Sequence, residues 1–221
     1  NITTTDDDIT ITAAVVLTQD VTVDSGSGPG NILYSSTIDG TTANSQSLTL
    51  DAGTGGFVTV DGAIGKTVSL RTLTLVDSNA AEFGRFEEDD DFIITGPQVH
   101  VINSQAGALV RFNGGVQPPQ FNADAGPYDL QFAGSGTNIG TDSGDDYLSA
   151  VLLNTGMAIF GDGNNDILMF RNGLFVQAAS SVELYGWIHT QASPVTLGDG
   201  NTPVHLRTHD SVIDTTAAEN P

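Results

Sequence analysis

The chain has 221 residues, with 27 acidic side chains against six basic ones, a formal charge of −21, 38% hydrophobic residues and no cysteine. That balance argues against a nucleic-acid partner, whose phosphates need clustered Lys and Arg, and for the same reason disfavours an anionic membrane surface. Without cysteine there is no disulfide framework, thiolate metal site or thiol redox chemistry, and no apolar run reaches the 18 residues of a membrane-inserting helix.

The chain opens on Asn1 and shows no basic segment followed by an apolar stretch, so it is read as a processed product or a piece of a longer chain. From there, short period-two runs dominate. Ile9-Thr10-Ile11-Thr12 and Val21-Thr22-Val23 come first, then Leu48-Thr49-Leu50, Val58-Thr59-Val60, Val68-Ser69-Leu70 and Leu73-Thr74-Leu75. Further along stand Val99-His100-Val101, Leu130-Gln131-Phe132, Val182-Glu183-Leu184, Val195-Thr196-Leu197 and Val204-His205-Leu206. In a strand alternate side chains face opposite sides, so the aliphatic residues turn inward and Thr, Ser and His outward. Gly, Asn, Asp and Ser punctuate the runs, as in the stretches 24–30 and 51–56. No 3.6-residue period is sustained, and the best helical candidate, around Leu148 to Leu153, is too short.

Many short strands without helices predict an all-β fold, a right-handed parallel β-helix (β-solenoid), with a β-sandwich as the alternative. The recurrence of Leu48/Leu50 as Val68/Leu70 suggests a turn of about 18–20 residues. Gly-Asp-Gly-Asn at 161–164 returns at 198–201, a separation close to two such turns. With a rise of roughly 4.8 Å per turn, the rod is expected to be about 50 Å long. Residues 113–127, with Pro118-Pro119, read as a protruding loop between solenoid rungs at 1–112 and 128–221 of one continuous domain.

Residues 30–42, 47–55, 58–65 and 73–75 resemble, in the same order, the repeat of large bacterial surface proteins related to filamentous haemagglutinin. The words that carry it are Ser36-Thr37-Ile38-Asp39-Gly40-Thr41-Thr42, Ser47-Leu48-Thr49-Leu50-Asp51-Ala52-Gly53-Thr54-Gly55, Val58-Thr59-Val60-Asp61-Gly62-Ala63-Ile64-Gly65 and Leu73-Thr74-Leu75. The match covers about residues 9–80. It implies a right-handed parallel β-helix, secretion to the extracellular space or cell surface, and work as an adhesin or structural fibre.

Calcium takes six to eight hard oxygen ligands, which Gly-Asp turns at solenoid corners can supply. The stretch 141–148 follows the calcium-binding nonapeptide pattern in part, offering Asp142, Asp145 and Asp146. The stretch 161–168 offers Asp162, Asn164 and Asp166, and Asp199 belongs to a weaker third copy. The competing reading is that these are Asx turns capping their own backbone. The acidic runs 6–8 and 87–91 read as solvated loops.

An enzyme is not expected. A polysaccharide lyase needs clustered bases, and Lys66, Arg71, Arg85, Arg111, Arg171 and Arg207 are widely spread; a hydrolase needs a placed carboxylate pair that abundance alone cannot single out. His100, His189, His205 and His209 lack metal spacing. The function expected is therefore an extracellular structural or adhesive solenoid, either a homo-oligomeric fibre subunit stacked head to tail through end strands or a segment of a surface adhesin stalk. A calcium-dependent module for a glycan or cell surface is the alternative, with Tyr185 and Trp187 available for stacking on sugars.

Overall fold

The computed structural model describes residues 1–84, 92–96, 98–134, 136–140, 150–163 and 165–216. Among them no helix forms, and all the strand pairs are parallel, which removes the antiparallel sandwich and leaves a parallel β-solenoid. Each turn contributes one strand to each of two faces and, save at Ile64, one to a third. The first sheet runs Ile2–Thr3, Val21–Asp24, Ser47–Asp51, Thr72–Leu75, Gln98–Val101, Phe121–Ala123, Ala150–Leu152, Leu174–Val176, Val195–Leu197. The second runs Ile9–Ile11, Ile32–Tyr34, Phe57–Val60, Ala80–Phe83, Leu109–Phe112, Asp129–Phe132, Met157–Phe160, Ser181–Leu184, Val204–Leu206. The third face is broken into pieces: Val15–Leu17 with Ile38–Gly40, Ile93–Thr95 with Gly115–Gln117, and a four-strand run from Asn138–Ile139 to Val212–Asp214. Ile64 bridges the first two pieces by pairing with both Ile38 and Ile94.

Nine strands in each long sheet make eight steps of one turn, so the rod is about 38 Å long. That is shorter than the 50 Å expected, because the turns are longer. Val23 stacks on Leu50 and Leu50 on Leu75, and Leu75 in turn on Val101. Leu48 therefore lies beside Leu73 and not beside Val68. Val68-Ser69-Leu70 is a corner, in which Leu70 is nonetheless fully buried. The stretch 113–127, expected as a loop, holds the strands Gly115–Gln117 and Phe121–Ala123. The tandem prolines occupy only the corner between them, where no ladder bond is required.

Alternation does what the sequence predicts. In Ser47–Asp51 the two leucines are buried, while Thr22, Thr49 and Thr74 form a half-buried outward column in register. The core changes character along the rod. Aliphatic stacks, with Tyr34 buried among them, fill the N-terminal turns; from Phe83 onward the second sheet carries a column of phenylalanines. Phe83, Phe112, Phe132 and Phe160 are register partners, with successive ring centroids 4.9, 5.7 and 6.0 Å apart in near-parallel stacks. Phe121 and Phe170 meet that column edge-on from the other two faces. Offset and edge-to-face contacts are the favoured aromatic geometries.

Corners bring turns too close for side chains. A Cβ on Gly56 would meet the Gly30 carbonyl oxygen at 2.0 Å, and Gly53, at φ +61°, faces Gly26 in the same way. Corners also explain much of the acidity. Backbone ladders lapse there, and carboxylates receive the freed N–H groups. Asp6 accepts from Gly28 at 2.6 Å, Asp8 from Asn31 at 2.8 Å and Asp20 from Ser47 at 2.9 Å. Asp39 accepts from Thr67 and Val68, Asp77 from Ser104 and Asp129 from Met157. In all six the carboxylate belongs to one turn and the N–H to the next. Charge-assisted bonds of this kind are stronger than neutral ones, so these acids act as clamps between turns.

Candidate functional site

The Gly-Asp turns come first, since the calcium reading rests on them. Gly161 to Asp166 lies between Met157–Phe160 and Ile167–Phe170, at a corner joining the second and third faces. Asp199 lies between Val195–Leu197 and Val204–Leu206, at a corner joining the first and second. The repeated word thus sits at two non-equivalent corners, and its spacing of 37 residues is not two turns.

At the first corner Asp166 Oδ2 accepts from the N–H groups of Asp162 at 2.7 Å and Gly163 at 2.8 Å. Asp162 Oδ2 accepts from the Arg111 guanidinium at 2.9 Å. At the second, Asp199 Oδ1 accepts from the Asn201 N–H at 3.0 Å and the Thr202 hydroxyl at 3.2 Å. The Asn201 N–H, followed by the Thr202 hydroxyl, holds the Asp199 carboxyl below its usual range. The Asp199–Asn201 bond is that of an Asx turn, while Asp166 ties back to the N–H groups that precede it and Asp162 is held by Arg111. Asp142, Asp145, Asp146 and Asn164 lie outside the described residues. Among the described residues no three His, Asp or Glu side chains converge as metal ligands.

A second carboxylate group lines the corner after the first sheet. Asp24 and Asp51 are register partners, and each caps the N–H two residues on, at Gly26 and Gly53. Burial pushes the Asp51 carboxyl up, and the neighbouring Asp24 and Asp77 charges add to the rise. Repeating a capping Asp turn after turn thus sets like charges beside each other.

Arg71, Arg111 and Arg207 are spent on ion pairs. Arg71 reaches Asp20 at 2.8 Å across the intervening Ser47, and Arg207 holds Glu183, whose second oxygen accepts from the Tyr185 hydroxyl. Chiefly through the Arg207 bond, Glu183 is held below the ordinary carboxylate range. Arg85 lies outside the described residues. His100 is half-exposed and meets Asp124 at 2.9 Å, as suits an outward position. His189 is buried instead, with Nδ1 3.4 Å from Asp214 of the next turn. Trp187 stands exposed on the third face beside Ile167.

The two ends of the rod differ. In the first turn Ile9 and Leu17 are buried, and Ile2 is exposed. In the turn 195–214 the inward column is open: Leu206, stacked on the fully buried Leu184, is 62% exposed, and Val204, stacked on Val182, is 41% exposed. Ile213 over Ile188 is open too. The period-two pattern places Val204 and Leu206 inward, and nothing in the sequence signals their exposure. No protein-family model, curated protein or solved structure matches the chain.

Proposed function

We propose that the chain is an extracellular structural or adhesive β-solenoid that extends by head-to-tail stacking of copies. The observation that carries this is the apolar layer of Val204, Leu206 and Ile213, which continues the core columns yet faces solvent. Large exposed apolar patches mark interaction surfaces, and a strand row with unpaired N–H and C=O groups templates another strand. A second copy has the matching strands. The core column that ends in Leu197 begins at Ile2, and the one that ends in Leu206 begins at Ile11, so a second copy can continue both sheets. The resemblance of residues 9–80 to bacterial surface-protein repeats supports the adhesive, extracellular setting.

Sedimentation velocity and negative-stain microscopy over a concentration series test this. Wild-type chain is expected to form rods whose length grows with concentration and with salt, which screens the charge of −21. Leu206→Asp places a charge in the open layer and is expected to leave monomers with an unchanged circular-dichroism spectrum. Uniform monomers of wild type at millimolar concentration and high salt would overturn the stacking.

A further inference from the structure

We propose that the outer face of the second sheet carries a slot for one pyranose ring of a neutral glycan, walled by Phe57 and Leu109 over the floor of Ala80. These three residues are register partners on consecutive turns and all point outward. A small residue between two large ones leaves a notch. It has a volume of about 280 Å³, just under the range of drug-sized pockets and suited to a single ring.

The walls lie two strand spacings apart, about 9.5 Å. Contact with each wall takes about 3.5–4.0 Å, which leaves room for one puckered ring and nothing thicker. Phe57 is 47% exposed and presents an aromatic wall to the apolar C–H face of a sugar. Exposing such a ring costs apolar burial that a stacked ligand would recover.

The rim supplies the polar half. Two residues along the same three strands stand Thr59, Glu82 and Arg111, again in register. They offer a hydroxyl, a carboxylate and a guanidinium in a row, the donor and acceptor set that sugar hydroxyls use. Both charged groups are held in place beforehand: Asn113 Nδ2 donates to Glu82 Oε1 at 2.8 Å, and Arg111 donates to Asp162 Oδ2 at 2.9 Å. Tethering removes part of the ordering cost of binding. An apolar side chain of a protein partner would use the walls but leave this rim desolvated without partners. Glu82 and Asp162 outnumber Arg111 at this rim, and the charge of −21 repels polyanions, so the sugar is neutral. The slot lies on a flank of the rod, away from both ends, and does not depend on copies stacking.

Saturation-transfer NMR and calorimetry on the full chain test the slot, using maltotriose, cellotriose and mannotriose with trigalacturonate as the anionic control. At least one neutral trisaccharide is expected to bind and to take up saturation from the Phe57 ring. Ala80→Leu fills the notch from outside the core and is expected to weaken binding at least tenfold. Phe57→Ala, equally outward, is expected to weaken it several-fold, with both variants retaining the wild-type circular dichroism. Binding of none of the three neutral sugars overturns the proposal. So does equal affinity of the Ala80→Leu variant, tighter binding of trigalacturonate, or occupation of the slot by an apolar peptide with no sugar bound.

Discussion

Replacing Phe132 with alanine is expected to destabilise the chain by about 3–5 kcal/mol, the cost of emptying a buried aromatic site. Phe132 is fully buried and touches four rings, Phe112 and Phe160 in stacks and Phe121 and Phe170 edge-on. The cavity lies where all three faces meet in the middle of the rod, and a solenoid turn contacts only its neighbours. The loss should therefore uncouple the turns on either side. In thermal unfolding followed by circular dichroism the transition should fall by roughly 10 °C. It should also broaden or split, as the two halves cease to unfold together. The outward Phe57→Ala should cost less than about 1 kcal/mol in the same assay. Equal losses for the two substitutions would mean that the ring column is not the core.

Acidification should first stabilise the chain and then unfold it. The Asp51 carboxyl is raised, mainly by burial and then by Asp24 and Asp77. A raised acid costs stability when ionised, and that cost is relieved as pH falls through its folded pKa. Protonation elsewhere lowers the self-repulsion of a chain with charge −21 in the same direction. Glu183 is depressed, chiefly by Arg207, and Asp214 is depressed, chiefly by the Thr216 N–H. Their contributions are present above the unfolded carboxylate range and lost as pH falls through the lower folded values. The melting temperature should thus rise by a few degrees from pH 7 to about pH 5, then collapse below about pH 4. Adding salt should raise it at pH 7 and change it less at pH 5. A steady fall from pH 7 downward, at any salt concentration, would contradict this ordering of the carboxylates.

Period-two alternation made the fold class legible, because a thin ribbon can hide its aliphatic side chains only on one face. The turn length was not legible. Leu70 is as buried as Leu50, so Val68-Ser69-Leu70 has the composition of a strand while serving as a corner. Insertions at corners vary the step: 20 residues separate Val110 from Leu130, and 29 separate Ala123 from Leu152. A fixed period therefore fails, although every strand stays in register. The same variation hides the phenylalanine column, whose members are separated by unequal intervals, and the slot, which exists only because Ala80 falls between Phe57 and Leu109. Gly-Asp-Gly-Asn misleads for a related reason. The same word serves two different corners, with Asp162 held by Arg111 at one and Asp199 accepting from the Asn201 N–H at the other.

The register itself can be read directly, since the native chain has no cysteine to interfere. Thr49 and Thr74 are register partners on the outer surface of the first sheet, at the Cα separation of adjacent strands, which a disulfide can span. Oxidising the double variant Thr49→Cys/Thr74→Cys should yield an intramolecular disulfide in most molecules, while Thr49→Cys/Ser69→Cys should remain reduced. A bridge between 49 and 69 in place of 49 and 74 would contradict the stacked turns described above.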